Sequence, residues 1–235
     1  MDQIIAQVRK ELITNGNEKV KKSGERYFRE EVRLHGLQSA DVGRIGKAWY
    51  CSIKDRTKEE IFTLCEELWK SGFMEEGFIA CNWSYYVHRQ YEPSDILVFE
   101  KWIRNFVSNW ATCDTLCNHT VGTLLEMYPE KVSFLKRWAI DPGRWVKRAS
   151  AVSLIIPARK GLFRDDIFEI ADILLMDPDD MVQKGYGWML KAASRADNTD
   201  VFNYVMKNKA DMPRTSLRYA IEKMPENLKR LAMAK

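Results

Sequence analysis

The chain has 235 residues, of which 46% are hydrophobic and 30% charged, with 12 glycines, 7 prolines and a formal net charge of +4. This composition can fill a sizeable core and excludes a disordered or collagen-like chain. No apolar run approaches the roughly 20 residues that cross a bilayer, and the first residues are polar and periodic, unlike a signal peptide. We therefore expect a cytoplasmic protein.

Helical periodicity recurs along almost the whole chain, and strand-like alternation is nearly absent. Residues 2–13 are predicted to form an amphipathic helix, and a capping box at Thr57 begins another. Ser94 is predicted to open a further helix, and Pro129 suits a first helical position. Later helices are predicted at 165–176, 180–196 and 198–208. The connections are short, so consecutive helices should pack as antiparallel hairpins.

A repeat is visible in the second half of the chain. The segment 141–149 (DPGRWVKRA) recurs 36 residues later as 177–185 (DPDDMVQKG), with Asp, Pro and Val in register and Arg148 aligned with Lys184. A weaker copy lies at 105–114. Helix pairs that repeat every ~35–45 residues are typical of HEAT or armadillo proteins. We therefore predict an all-α fold, a right-handed superhelical α-solenoid of about six or seven HEAT-like helix pairs in one domain over residues 1–235.

The repeat predicts a common surface, because equivalent positions in stacked repeats lie on one face. Arg148, Lys184 and the segment 110–114 should share this face. Asp141 and Asp177 are candidate N-terminal caps of the inner helices. Helix N-termini and cations both attract phosphate, so we hypothesise a concave groove that follows a DNA backbone.

The charge distribution agrees with an anionic partner. Residues 1–117 contain 17 lysines and arginines against 18 acids, whereas residues 118–235 contain 20 against 15. A basic bias in one half fits nucleic-acid binding, although a charge run is more often a solvated face.

Three segments carry unusual residue combinations: 110–114 (WATCD), 144–149 (RWVKRA) and 183–188 (QKGYGW). Together with 25–28 (ERYF), they resemble the AlkD-like DNA glycosylase family, bacterial alkylpurine DNA glycosylases built from HEAT-like repeats. The resemblance extends from about Tyr27 to Arg218, and its most specific parts are the Trp-x-x-x-Asp and Gln-Lys-x-x-Gly-Trp motifs.

The resemblance implies a DNA repair glycosylase. Such an enzyme hydrolyses the N-glycosidic bond of N3- and N7-alkylated purines, such as 3-methyladenine and 7-methylguanine, in duplex DNA. It does so without flipping the base into a pocket, unlike most glycosylases. The implied partner is duplex DNA that contains alkylated purines, with no metal, organic cofactor or membrane, and a monomer is the default.

The resemblance also implies roles for individual residues at the matching positions. Trp110 and Trp188 would contact the sugar–phosphate backbone of the damaged nucleotide, and Asp114 would be the catalytic carboxylate. Arg148 would contact the DNA backbone, and Tyr27 would line the cleft.

These residue types suit the chemistry. An N3- or N7-alkylated purine is already cationic, so it leaves as a neutral base without a general acid. The deoxyribose becomes an oxocarbenium-like cation, which Asp114 can stabilise while it positions the attacking water. The rings of Trp110 and Trp188 would each add about 0.5–2 kcal/mol of cation–π attraction. Arg148 and Lys184 would hold phosphates with salt-sensitive affinity. A restriction to cationic lesions follows.

Two departures from the family pattern stand out. Members often carry a second carboxylate directly after the first tryptophan, where this chain has Ala111, and its loss could weaken activity. A basic residue found in some members near the end of the Arg148 helix is absent, since the chain reads Leu-Ile-Ile-Pro at 154–157. Arg159 and Lys160 are nearby cations to which no role is carried over.

Structural alternatives exist for several of these residues. Asp114 could merely cap a helix over 115–127. Cys113 and Cys117, near His119, lack the four closely spaced ligands of a zinc site, so we expect reduced and mostly buried thiols. The three histidines, His35, His88 and His119, are expected to be structural. Five tryptophans lie on apolar stripes and are predicted to be core: Trp49, Trp69, Trp83, Trp102 and Trp138.

Two other functions remain open at this point. A solenoid of the same fold could recognise DNA shape or damage without cutting, in which case Asp114 would be dispensable. Alternatively, the chain could be a protein–protein scaffold, in which case salt-dependent binding to duplex DNA would be absent.

Overall fold

The computed structural model describes residues 2–234. Helices form along this part of the chain, as the periodicity of the sequence predicts. Within these residues there is no β-strand, and every helix is too short or too polar to cross a bilayer. The α-helices are α1 (Gln3–Asn15), α2 (Glu18–Tyr27), α3 (Ser39–Cys51), α4 (Lys58–Trp69), α5 (Met74–Tyr86), α6 (Asp95–Asn105), α7 (Trp110–Thr115), α8 (Gly122–Met127), α9 (Val132–Ala139), α10 (Arg144–Val152), α11 (Ile155–Arg159), α12 (Arg164–Leu174), α13 (Asp180–Ala193), α14 (Asn198–Asn208), α15 (Arg214–Ile221) and α16 (Glu226–Met233). Short 3-10 segments occupy His88–Gln90 and Pro129–Lys131, and a π-helical segment occupies Leu116–Val121. The predicted all-α fold class is confirmed.

Two compact units make up the described residues. The N-terminal unit ends at Leu116 and contains α1 to α7, in which α5 packs against α3, α4 and α7. The C-terminal unit begins at Cys117, and within it α13 packs against α10, α11, α12 and α15. Each unit therefore has one central helix around which its neighbours are arranged.

Local side-chain chemistry sets several helix boundaries where the sequence predicted them. The Thr57 capping box is present: the Thr57 hydroxyl accepts a hydrogen bond from the Glu60 amide at 3.2 Å, and the Glu60 carboxylate accepts one from the Thr57 amide at 2.8 Å. Asp197 caps α14, which spans the predicted residues. By contrast, α13 ends at Ala193, three residues before its predicted end.

The Asp-Pro repeat is visible in the backbone, but the predicted capping role of its aspartates is wrong. The Asp141 carboxylate accepts a hydrogen bond from the Gly143 amide at 2.8 Å, and Asp177 accepts one from the Asp179 amide at 2.9 Å. Gly143 and Asp179 are the residues at which α10 and α13 are capped. The two carboxylates therefore close equivalent turns two residues before the caps.

The tryptophans separate into a core set and a partly exposed set. Four of the five predicted core tryptophans are at most 4% exposed: Trp69, Trp83, Trp102 and Trp138. The fifth, Trp49, is only partly buried, and its indole donates to the Glu11 carboxylate at 2.6 Å. Trp110 and Trp188, which the family resemblance assigns to the site, are also only partly buried.

Glu75 attaches the segment before α3 to α5. Its buried carboxylate accepts hydrogen bonds from the amides of His35 at 3.0 Å, Gly36 at 2.8 Å and Leu37 at 3.2 Å. Gly36 has a φ of +94°, and a Cβ there would lie 2.4 Å from the Asn17 carbonyl oxygen. Only glycine fits this turn, and only an acceptor with two free oxygens satisfies all three donors.

Replacing Glu75 with glutamine is expected to lower the free energy of unfolding by about 2–3 kcal/mol, because an amide nitrogen would face backbone donors in a buried site. Urea denaturation measures the change. Glu31→Gln is the matched control, since Glu31 is exposed and should change stability by less than about 0.5 kcal/mol. Equal unfolding midpoints for the two variants would contradict this role of Glu75.

Candidate active site

Helix α7 carries two of the predicted site residues. Trp110 is its first residue, and Asn109 caps it by accepting a hydrogen bond from the Thr112 amide at 3.0 Å. Asp114 lies one turn after Trp110, so both project from the same side of the helix. Asp114 is 8% exposed. It lies inside α7, so the alternative that Asp114 is a helix cap is wrong, and Asn109 has that role.

The helix does not continue regularly after Asp114. The predicted helix over 115–127 is divided into a π-helical segment, Leu116–Val121, and α8. A π-helical segment inserted in a helix is rare and frequently occurs at functional sites. Its location directly after α7 is consistent with a functional role for the Trp110–Asp114 turn.

An aromatic cluster surrounds Trp110. Phe28 stacks on the Trp110 indole with ring centroids 5.5 Å apart and an interplanar angle of 25°. Tyr27 meets the same indole edge-on at 6.1 Å and Phe28 edge-on at 5.5 Å. Tyr27 is nevertheless 71% exposed. We call these three residues the aromatic corner, and within it the Trp110 ring is held by two neighbours while the Tyr27 ring faces solvent.

An open cavity of about 830 Å³ adjoins the aromatic corner within the N-terminal unit. Its lining includes both polar and aromatic side chains, among them Lys19, Arg26, Phe28, Phe78 and Trp110. Ala111, where the family resemblance leads us to expect a second acid, also lines this cavity. The chain therefore presents a methyl group here in place of a carboxylate.

In the C-terminal unit, Arg148 lies against α13, the helix that carries Lys184 and Trp188. Arg148 is 5% exposed, and its Nη1 donates to the Met181 carbonyl oxygen at 2.5 Å. Its side chain passes Gly185, where a Cβ would come within 3.4 Å of the Arg148 Cγ. The Arg148 side chain thus packs directly against the backbone of α13 at Gly185, where an added Cβ would be in van der Waals contact with it.

Tyr186 anchors the same helix in the core. Its hydroxyl donates to the Leu175 carbonyl oxygen at 3.0 Å and lies 2.6 Å from the Ser216 hydroxyl. Burial raises the pKa of Tyr186 to about 12, so the phenol stays protonated. Because Lys184 and Trp188 flank this anchor in sequence, their backbone positions are fixed by it.

Carboxylates neutralise several cations of the repeat. The pairs are Arg144 with Asp179, Lys147 with Asp177 and Lys184 with Asp180. The Nη2–Oδ2 distance of the first pair is 2.6 Å, and the Nζ–Oδ2 distance of the third is 3.0 Å. Any phosphate that binds these cations must therefore compete with a carboxylate of the chain itself.

The cysteines and histidines have structural surroundings. Cys113 and Cys117 are buried free thiols, and within residues 2–234 no group of three or more potential ligands is arranged to hold a metal. His35 Nε2 lies 3.1 Å from a Glu76 carboxylate oxygen, and Arg9 donates to the other oxygen at 2.8 Å. Burial would raise the pKa of Glu76, but these hydrogen bonds from His35 and Arg9 outweigh it and lower that pKa.

Comparison with known proteins identifies the family. The family model described as DNA alkylation repair enzyme matches residues 8–224. The chain belongs to the DNA alkylation repair enzyme family. No curated protein sequence matches it. Membership confirms the predicted family resemblance and supports an enzymatic role in the repair of alkylation damage to DNA.

A solved structure shares the fold of this family member. It is described as a predicted DNA alkylation repair enzyme from Enterococcus faecalis, with a TM-score of 0.81 and 11% sequence identity. The match covers 90% of this chain and 97% of that chain. At this identity the likeness extends to the fold and not to individual side chains.

The sequence did not reveal every residue that forms the site region. Asn109 had a signal, because an asparagine directly before a helix is a favoured cap. Phe28 carried no sequence signal beyond its presence in the Glu-Arg-Tyr-Phe segment, because its ring stacks on Trp110, which lies far away in the chain. The burial of Arg148 and its bond to Met181 were likewise invisible to sequence patterns.

Proposed function

We propose that this family member is a DNA glycosylase that hydrolyses the N-glycosidic bond of cationic N3- and N7-alkylated purines in duplex DNA, without base flipping. The observation that carries the proposal is the buried carboxylate of Asp114 one turn after the partly exposed Trp110 on a capped helix. We further propose that residues 1–235 act as a single HEAT-like domain and as a monomer, without metal or organic cofactor.

The proposed reaction needs one carboxylate. The bond between C1′ and the alkylated purine nitrogen breaks, and its electron pair neutralises the positive charge of the departing base. The oxocarbenium-like sugar that remains is stabilised by the Asp114 carboxylate. Water then attacks C1′ and loses its proton to the carboxylate, which leaves an abasic site.

The other residues hold the damaged nucleotide. We carry over the roles that the resemblance implies: Trp110 and Trp188 would contact the sugar–phosphate backbone and attract the positively charged sugar, and Tyr27 would line the cleft. Lys184 can exchange Asp180 for a phosphate oxygen at little cost, because a partly exposed ion pair is worth only about 0–1 kcal/mol. Arg148 is buried against α13 and donates to the Met181 carbonyl oxygen, so we propose that it positions the helix that carries Lys184 rather than binding a DNA phosphate itself, as the resemblance implied.

The direct test is incubation of the protein with methylated duplex DNA, followed by chromatography of the released bases. We expect free 3-methyladenine and 7-methylguanine together with abasic DNA. Tight DNA binding without base release would favour a damage-recognition protein instead. The third possibility is a protein–protein scaffold, which would show no salt-dependent binding of duplex DNA. Filter binding at two salt concentrations distinguishes it from a DNA-binding protein.

Phe28→Ala is expected to slow base release by about 10- to 100-fold with little change in DNA affinity. The substitution removes the ring that stacks on Trp110, and small misplacements of a positioning group have effects of this size. Single-turnover release measures the rate. Phe28→Tyr keeps the ring and should restore it, so equal losses in both variants would show that stacking is not the cause.

A further inference from the structure

Helix α2 carries a row of cations that the proposed function does not use. Lys19, Lys22 and Arg26 are spaced at i, i+3 and i+7, so they share one face of the helix, and all three are exposed. No residue of α2 is buried. At 1.5 Å per residue, the row is about 10 Å long.

The cations of the Asp-Pro repeat form ion pairs with carboxylates of the chain, whereas these three cations are scarcely neutralised in that way. Within the described residues, neither Lys19 nor Arg26 is in an ion pair with a carboxylate. Lys22 approaches Glu18 only at 3.6 Å, between two side chains that are more than 60% exposed. Because residues 1–117 carry more acids than bases, the row is a local concentration of positive charge on an otherwise slightly acidic part of the chain.

The row also leads to the candidate active site. α2 ends at Tyr27, the exposed member of the aromatic corner, and Arg26 directly precedes it. Lys19 and Arg26 line the same cavity as Trp110. A polyanion lying along α2 would therefore approach the aromatic corner.

We propose that the exposed face of α2 binds the phosphate backbone of duplex DNA through Lys19, Lys22 and Arg26. The choice of DNA as the occupant rests on the proposed function and on charge complementarity. Phosphates of one strand recur every ~3.4 Å along the duplex axis, so a 10 Å row covers about three of them. The N-terminal unit thereby supplies its own backbone contact beside the Trp110–Asp114 turn.

A matched pair of triple variants tests the proposal. Lys19→Gln, Lys22→Gln and Arg26→Gln are combined in one protein, and Lys10→Gln, Lys47→Gln and Lys54→Gln in the other. The control lysines are also exposed and lie in the same unit, so both proteins lose three charges. Because none of the six side chains is buried, both variants should unfold at the wild-type urea midpoint.

Affinity for undamaged duplex DNA is measured over a range of salt concentrations. The α2 variant should bind on the order of tenfold more weakly at 0.1 M salt, with a logarithmic salt slope shallower by about 2–3, whereas the control keeps the wild-type slope. If the two variants bind alike while the wild type still releases methylated bases, this inference is wrong and the proposed function stands. If the wild type neither binds DNA nor releases bases, both are wrong.

Discussion

Asp114→Asn is expected to reduce the rate of 7-methylguanine release by at least about 100-fold, while affinity for duplex DNA changes by less than about threefold. The substitution keeps the shape of the side chain but removes the negative charge that stabilises the sugar cation in the proposed mechanism. Loss of one electrostatic group aimed at a developing charge typically costs about 10²–10³ in rate. Single-turnover release and filter binding on the same protein separate the two effects.

Asp211→Asn serves as the control for this variant. Asp211 is an exposed carboxylate, so its loss changes the net charge equally without touching α7. The control should release bases at the wild-type rate. If Asp114→Asn is as fast as Asp211→Asn, Asp114 is not the catalytic carboxylate.

The charge of the lesion is expected to have an equally large effect. A 7-methylguanine whose N7 is replaced by carbon keeps the methyl group but loses the positive charge. We expect its release to be at least about 100-fold slower, since general acid catalysis worth about 10²–10⁴ would be needed to expel a neutral purine, and the proposed site supplies no such acid. Duplexes that differ only in this one atom provide the comparison, assayed for free base over equal times.

The affinity of the protein for each of the two duplexes must be measured together with the rates of base release. If both duplexes bind with similar Kd, the difference arises at the bond-breaking step and the proposed mechanism is supported. Equal release of the charged and neutral bases would mean that the protein protonates its leaving group, and the single-carboxylate mechanism would then be wrong.

Much of the fold could be predicted because helix signals are local. The Thr57 capping box and the bounds of α14 depend on residues within one helical turn, so sequence patterns suffice to find them. The Asp-Pro repeat was also readable, because Asp141 and Asp177 form the same turn in both copies. The predicted capping role was wrong because an aspartate followed by proline suits a turn before the cap as well as the cap itself, and local sequence does not separate the two.

The π-helical segment shows where local reasoning failed. Residues 115–127 have the apolar spacing of an ordinary helix, and nothing in that spacing marks the wider turns at Leu116–Val121. The burial of Arg148 has a similar origin. Its position in the repeat suggested a surface cation, but the side chain packs against α13 and donates to the Met181 carbonyl oxygen, which is 33 residues away in sequence.

The candidate site depended on resemblance more than on periodicity. Apolar stripes predicted the core tryptophans, such as Trp83 and Trp102, but they did not mark the partly buried Trp110 and Trp188 as site residues. That assignment came from the family motif. The Phe28–Trp110 stack could not be foreseen from either source, because it depends on how the end of α2 meets the start of α7.

The central claim is that the Asp114 carboxylate stabilises a positive charge on the sugar of the damaged nucleotide. The most direct test uses a duplex that carries a protonated pyrrolidine in place of the deoxyribose, because this ring mimics the sugar cation. A duplex with a neutral tetrahydrofuran at the same position is the uncharged control. Transition-state mimics bind at least about 10²-fold more tightly than ground-state analogues. We expect the wild-type protein to prefer the pyrrolidine duplex by about that factor and Asp114→Asn to lose the preference. An equal preference in both proteins would contradict the claim.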